Sequence, residues 1–233
     1  MVLQRCAKSG RISTNRRTTK WEVANDLSGE ITNLFRVLQR HYPQLMEVMR
    51  FQITSRREFE RLRSCDPATL TDLERAARFL YLQRLAFGGQ LGGVFGVAPD
   101  QSARFSLAKI GPLLDAAHDR LDGVIFENLP WQEVLARYDG PQALFYLDPP
   151  YWGSEDDYGK GLFDRDQFAE LAERLGRIKG AFVLSINDRP EIRALFGALR
   201  IEEVRLTYSV SKSGATAARE LIIANSEVRV GLV

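Results

Sequence analysis

Two cysteines and two histidines in 233 residues leave little material for thiol or zinc chemistry. Cys6 and Cys65 form no CxxC pair and suggest no disulfide framework, which fits a reducing compartment. With only His41 and His118 beside them, no structural zinc site is expected. Long apolar runs are missing, and no basic-then-apolar leader opens the chain, because Met1-Val2-Leu3 is followed at once by Gln4 and Arg5. The expectation is therefore no membrane span, no signal peptide and a cytoplasmic protein. An excess of charge is missing too: the formal net charge is +2, so any nucleic-acid binding must come from a local basic face. What is present, 45% hydrophobic residues, suffices for one globular core with a helical insertion.

The most informative stretch is Leu144-Phe145-Tyr146-Leu147-Asp148-Pro149-Pro150-Tyr151-Trp152-Gly153. Ala143 to Leu147 reads as a fully buried strand, and the two prolines stop it. Neither proline donates a backbone N–H, each fixes its own φ, and Pro150 pushes Pro149 toward an extended conformation. The turn is therefore stiff, with free carbonyls and the Asp148 carboxylate at the strand's C-terminal end, the edge where open α/β sheets bind ligands. The plain structural alternative is a turn closed by a local hydrogen bond from Asp148.

Residues 1–20 carry Arg5, Lys8, Arg11, Arg16, Arg17 and Lys20 with little apolar periodicity, which predicts a mobile basic arm, with phosphate contact as the alternative. Trp21 to Ala24 is a short strand ending in Asn25-Asp26, and a helix follows with Leu27, Ile31, Leu34, Phe35 and Leu38 on one face. Asp26 either caps that helix or accepts the ribose hydroxyls of a nucleoside cofactor, and the two roles are compatible.

Residues 43–121 read as helical segments near 44–50, 56–63, 71–86 and 107–121, the third opened by a capping box, Thr71-Asp72-Leu73-Glu74. Arg50, Arg56, Arg57, Arg61, Arg63, Arg75, Arg78 and Arg84 are interleaved with Glu58, Glu60 and Glu74, so this is a salt-bridged solvated face or, alternatively, a phosphate-binding one. Phe87 to Gly96 is glycine-rich, but no strand precedes it and no Lys-Ser/Thr follows, so it reads as a flexible loop or hairpin. From Gly123 onward strands and helices alternate: Val124 to Phe126, Trp131 to Arg137, Ala143 to Leu147, Phe163 to Arg177, Ala181 to Ile186, a helix through Leu195-Phe196, and last strands Ile201 to Tyr208 and Glu220 to Ala224.

Asp-Pro-Pro-Tyr resembles the catalytic motif of amino-group methyltransferases, and the order of features resembles the Dam-like, D12 class of adenine-specific DNA methyltransferases. The likeness runs from about Trp21 to Asn225. It is carried by Ala24-Asn25-Asp26-Leu27, Phe79 to Gly89, Leu144 to Gly153, Ser185-Ile186-Asn187-Asp188 and Ala218 to Asn225. The resemblance implies an α/β, Rossmann-like, S-adenosylmethionine-dependent methyltransferase sheet. Its catalytic domain would span 21–42 and 122–233, with a helical target-recognition insertion over 43–121. Asp148, Pro149, Pro150 and Tyr151 would be catalytic, with Asp148 also near the cofactor. Asp148 and the Pro149 carbonyl would each accept one adenine N6 hydrogen, favouring a tetrahedral nitrogen whose lone pair faces the methyl. Tyr151 would stack on an adenine flipped out of duplex DNA. Asp26 would hold the cofactor ribose, Asn128 would lie near its adenine, Arg84 would face DNA, and the Gly153 to Gly161 loop with Tyr158 would form a lid.

The resemblance departs at the front. The family places a Lys-Trp-x-Gly-Gly-Lys segment and a first strand ending in a Phe-Gly-Gly-Gly-like loop before the position of Asp26, whereas here Lys20-Trp21 is followed by Glu22-Val23, and Gly10 and Gly29 are isolated. This predicts a sheet without its first central strand, whose neighbours would expose unpaired backbone unless something fills the gap. It also predicts an incomplete or remnant chain, or one completed by a partner, that binds S-adenosylmethionine weakly or not at all. DNA adenine N6 methylation leads among the functions. The alternatives are the same chemistry on cytosine N4, RNA or protein glutamine, and an inactive remnant that at most binds DNA.

Overall fold

The protein is described from a computed structural model, over residues 2–6, 19–87, 93–96, 105–155, 161, 163–208 and 216–225. It is a mixed α/β chain that divides into two compact units, Met1–Asn25 with Leu129–Val233, and Asp26–Asn128.

The first unit contains strands β1 (Val2–Cys6) and β2 (Thr19–Asn25), and it resumes after the second unit with α6 (Trp131–Tyr138), β4 (Ala143–Leu147), α7 (Asp166–Leu175), β5 (Ala181–Asn187), α8 (Pro190–Leu195), β6 (Arg200–Tyr208) and β7 (Thr216–Ala224). Its strands lie in the order β2-β1-β4-β5-β7-β6. β4 and β5 are parallel, with Leu147 opposite Leu184, whereas β7 runs antiparallel to β5 and to β6. The runs of β4 and β5 are apolar apart from Tyr146, Ser185 and the closing Asn187, and β4 is exposed only at Tyr146, so the two strands are buried on one face and largely covered on the other. On one face Phe145, Leu147, Phe182, Leu184, Ile186, Leu221 and Ile223 meet α6, α7 and α8 through Val134, Leu135, Phe168, Leu171, Leu175 and Ile192. The opposite face carries Tyr146, Ser185 and Glu220, in the alternate positions of the same strands.

The bottom of this sheet is closed by side chains that satisfy strand-end backbone groups. Asp139 accepts from the Lys179 and Gly180 amides at 3.0 and 2.9 Å. Asn225 accepts from Phe182 N at 3.1 Å and donates to Gly180 O at 2.9 Å. Gly180 admits no side chain there, because an added Cβ would lie 2.8 Å from Ala143 O.

The second unit is helical: α1 (Gly29–Arg40), α2 (Tyr42–Arg50), α3 (Arg56–Ser64), α4 (Asp72–Leu85) and α5 (Leu107–Leu121), followed by β3 (Val124–Glu127). The Thr71–Glu74 capping box forms as the sequence implies. Leu34, Val37 and Leu38 of α1 share a core with Ala76, Ala77, Leu80 and Tyr81 of α4. Asp26 through Arg40 and Val124 through Asn128 cluster with these helices, Leu34, Val37 and Leu38 of α1 lying in their core and Phe35 stacking on Phe126 at 5.5 Å. Phe87 N donates to Val94 O at 2.8 Å and Ala86 bridges Phe95, so the Phe87–Gly96 stretch is the hairpin of the two alternatives, its tip lying outside the described residues. Among the described residues no helix is long and apolar enough to cross a membrane.

The front of the chain differs from expectation. Val2–Cys6 is not an arm; it lies between β2 and β4, antiparallel to both, with Leu3 opposite Val23 on one side and Phe145 on the other. The backbone groups that β2 and β4 would otherwise leave open are paired, which is the physical reason a short stretch with a single apolar pair is held as strand. Residues 7–18 of the expected arm lie outside the described residues. In hydrogen exchange, amides of Val2–Cys6 should be protected like those of β4, by orders of magnitude over an unpaired terminus. Exchange of this segment at unpaired rates would remove β1 from the sheet.

Candidate active site

Strand register builds the site. Continuing the β4–β5 pairing one step past Leu147 and Leu184 brings Asp148 beside Ser185, and the Ser185 hydroxyl donates to Asp148 Oδ1 at 3.0 Å. Ser185 is buried, and its Oγ also lies 3.2 Å from the Tyr146 hydroxyl. Asp148 keeps one side open to solvent. Desolvation raises its carboxyl above the ordinary carboxylate value; the Ser185 hydrogen bond opposes this and the negative charge of Glu220 adds to it. The Asp148 side chain thus reaches across to β5, and the local turn bond is not what holds it.

The rest of the turn is fixed from the same two neighbouring strands. Asn187, at the end of β5, accepts from Trp152 N at 2.9 Å and donates to Trp152 O at 3.0 Å, so one amide holds both backbone groups of the residue after Tyr151. Glu220, paired with Asn187 across β5 and β7, is buried and accepts a hydrogen bond from the Tyr151 hydroxyl. Ser154 N closes the turn on Tyr151 O at 2.8 Å, and Gly153 takes φ +89°, a conformation that favours glycine. The ring of Tyr151 is therefore anchored at its hydroxyl end and along its backbone, and it lines a cleft of about 680 Å³ with Asn187, Asp188, Arg193, Arg219 and Glu220. Asp188 holds Arg193 through two bonds of 2.7 and 3.0 Å, and this guanidinium keeps the Asp188 carboxyl below the ordinary range.

Asp26, Asn128 and Arg84 lie on the helical unit. Asp26 Oδ1 accepts from Ser28 N at 2.8 Å at the start of α1, and the Asn128 side-chain amide donates to Asp26 O and Leu27 O at 2.7 and 2.9 Å. Of the three residues expected at the cofactor, Asp26 and Asn128 are thus adjacent. Ser28 is the N-cap of α1, so the Asp26 bond closes a turn just ahead of the helix rather than capping it. The second carboxylate oxygen of Asp26 and the carbonyl oxygen of Asn128 carry no hydrogen bond among the described residues. Arg84 is exposed on α4 and donates no hydrogen bond among the described residues. Several arginines of the basic cluster are engaged: Arg61 with Glu58, Arg63 with Glu60, Arg75 with Glu30, and Arg78 with Leu62 O. With Arg50 beside Glu47, four of the eight arginines form the ion pairs of the salt-bridged alternative. Tyr158 lies outside the described residues, as does most of the loop expected as a lid.

A stiff turn that presents a carboxylate, a proline carbonyl and an anchored aromatic ring is suited to transfer of a group to an amino nitrogen. The sequence model of the D12 class N6 adenine-specific DNA methyltransferases matches residues 9–210, and the chain belongs to that family. A relative is the Type II methyltransferase M.CviBI of Paramecium bursaria Chlorella virus NC1A, 22% identical over 180 residues that cover 75% of this chain and 68% of the relative.

Ser185, Asn187 and Glu220 had lain within the quoted likeness without a role; their signal was position at strand ends next to the Asp-Pro-Pro turn. Tyr151→Ala should lower kcat/KM by about 5- to 150-fold, the value of one base stack, while Tyr151→Phe keeps the ring and loses less. With Asp148 in the ionised acceptor role that the resemblance implies, its raised carboxyl pKa should place the acid limb of the pH–rate profile above the ordinary carboxylate value. Glu220→Gln, which removes the repelling charge, should move that limb to lower pH. A limb that stays in place in this variant would detach Glu220 from Asp148.

Proposed function

We propose that the chain methylates the exocyclic N6 of adenine in DNA, using S-adenosylmethionine on a Rossmann-like methyltransferase sheet. The observation that carries this reading is the Ser185–Asp148 hydrogen bond beside the Tyr151 ring, in a chain of this family. An adenine N6 is a poor nucleophile, since its lone pair is delocalised into the ring. Asp148 is an acceptor with one oxygen held by Ser185, leaving lone pairs for one N6 hydrogen, and the Pro149 carbonyl, which follows the same stiff turn, takes the other. Pro150 keeps that carbonyl from swinging away. Tyr151, anchored by Glu220, offers the flat face on which an extruded base stacks, offsetting part of the few kcal/mol that unstacking costs.

The hydrogen-bond acceptors on the helical unit suit the cofactor's nucleoside. The free oxygen of Asp26 suits ribose hydroxyls, and the Asn128 carbonyl suits the amino edge of an adenine. When bound, S-adenosylmethionine supplies a sulfonium methyl for in-line displacement; the chain's task is alignment and acceptance of hydrogen bonds.

A second reading, DNA binding without catalysis, is favoured by the direction of β1. The strand between β2 and β4 runs antiparallel to β4, opposite to the direction that carries a strand-end loop to the edge where Asp148 lies. Transfer of labelled methyl from S-adenosylmethionine to unmethylated duplex DNA separates the two. The leading reading expects incorporation that falls by about 100-fold or more in Asp148→Ala. Incorporation that survives this substitution would refute the site, and none in the unaltered chain would leave the second reading.

A further inference from the structure

The cleft beside Tyr151 is lined by three arginines, Arg189, Arg193 and Arg219, and by two carboxylates, Asp188 and Glu220. The arginines differ in how they are engaged. Arg193 is held by Asp188 through two hydrogen bonds and also donates to Glu203, so its guanidinium is committed to the protein. Arg189, just before α8, and Arg219, on β7, line the same cleft, and both are exposed. Neither guanidinium donates a hydrogen bond or closes a salt bridge among the described residues. Their backbones are nonetheless well placed. Asp188 N donates to Arg219 O at 3.0 Å, which ties the residue preceding Arg189 to β7, and Arg193 N bonds back to Arg189 O at 3.0 Å.

We propose that Arg189 and Arg219 form a phosphate clamp at the mouth of this cleft, taking the phosphodiesters that flank a nucleotide seated against Tyr151. The inference rests on the reading of an extruded DNA base. A nucleotide swung into the cleft brings a phosphate on each side of its sugar to the rim, where two uncommitted guanidinium forks match phosphate oxygens. Arg193, already engaged, stiffens the α8 side of the rim. The clamp is blind to sequence; it fixes position and leaves base choice to other contacts.

The test is the salt dependence of binding to a fluorescein-labelled duplex with one bulged adenine, a nucleotide that costs little to extrude. Fluorescence anisotropy is read at several salt concentrations for the full chain and for Arg189→Ala, Arg219→Ala and Arg177→Ala. Each of the first two should flatten the slope of log K against log salt by about 0.9, the contribution of one phosphate contact. Arg177→Ala, an exposed residue paired with Glu173, should keep the wild-type slope. Unchanged slopes in Arg189→Ala and Arg219→Ala, with DNA still bound and methylated, would overturn the clamp and leave the methyltransferase reading in place. Flattened slopes in a chain that transfers no methyl would keep the clamp and end that reading. A wild-type chain without affinity for the duplex would overturn both.

Discussion

The parallel pairing of β4 with β5 decides which side chains can act together. Leu147 faces Leu184, so Asp148 falls beside Ser185, and the antiparallel pairing of β5 with β7 sets Glu220 against Asn187. Because side chains alternate between faces, a slip of one residue in either pairing would send Ser185 or Glu220 to the face filled by α6, α7 and α8 and bring an apolar residue to Asp148. The register is secured by that same apolar face, where Phe145, Phe182, Leu184 and Leu221 are fully or almost fully buried. Burial of one side of the sheet thus fixes the chemistry of the other.

Around that register, the residues near the Asp-Pro-Pro-Tyr turn divide the work. Ser185 orients the carboxylate, Asn187 holds the backbone after Tyr151, and Glu220 takes the tyrosine hydroxyl. Further along the strand from Glu220, Asn225 does structural work only, closing the far end of the sheet through Phe182 N and Gly180 O. A short stretch of likeness can therefore contain one residue for the site and one for the scaffold, five positions apart on the same strand and its end.

Much of this was legible in the sequence. The buried runs of β4 and β5, the capping box at Thr71 and the helices from Tyr42 to Leu121 follow from periodicity and composition, since each is set by local propensity and an apolar face. The roles of Ser185 and Glu220 were not legible, because they depend on pairing between strands separated by 37 and 69 residues from their partners, Asp148 and Tyr151. β1 was missed for a related reason: Val2-Leu3-Gln4-Arg5-Cys6 is too short and too polar to signal a strand, and only the open edges of β2 and β4 make it one. Asp26 does not cap α1, although its place before the helix suggested that role. Its carboxylate holds the amide of Ser28, the N-cap residue itself, a local turn that composition alone does not separate from a cap.

The central claim is that the β4–β5–β7 edge presents an amino-methylating site selective for adenine. Digestion of DNA after incubation with the chain and S-adenosylmethionine, followed by mass spectrometry of the nucleosides, tests it most directly. The account predicts N6-methyladenine as the methylated product. Methylation found on cytosine N4, or on no nucleoside at all, would contradict it.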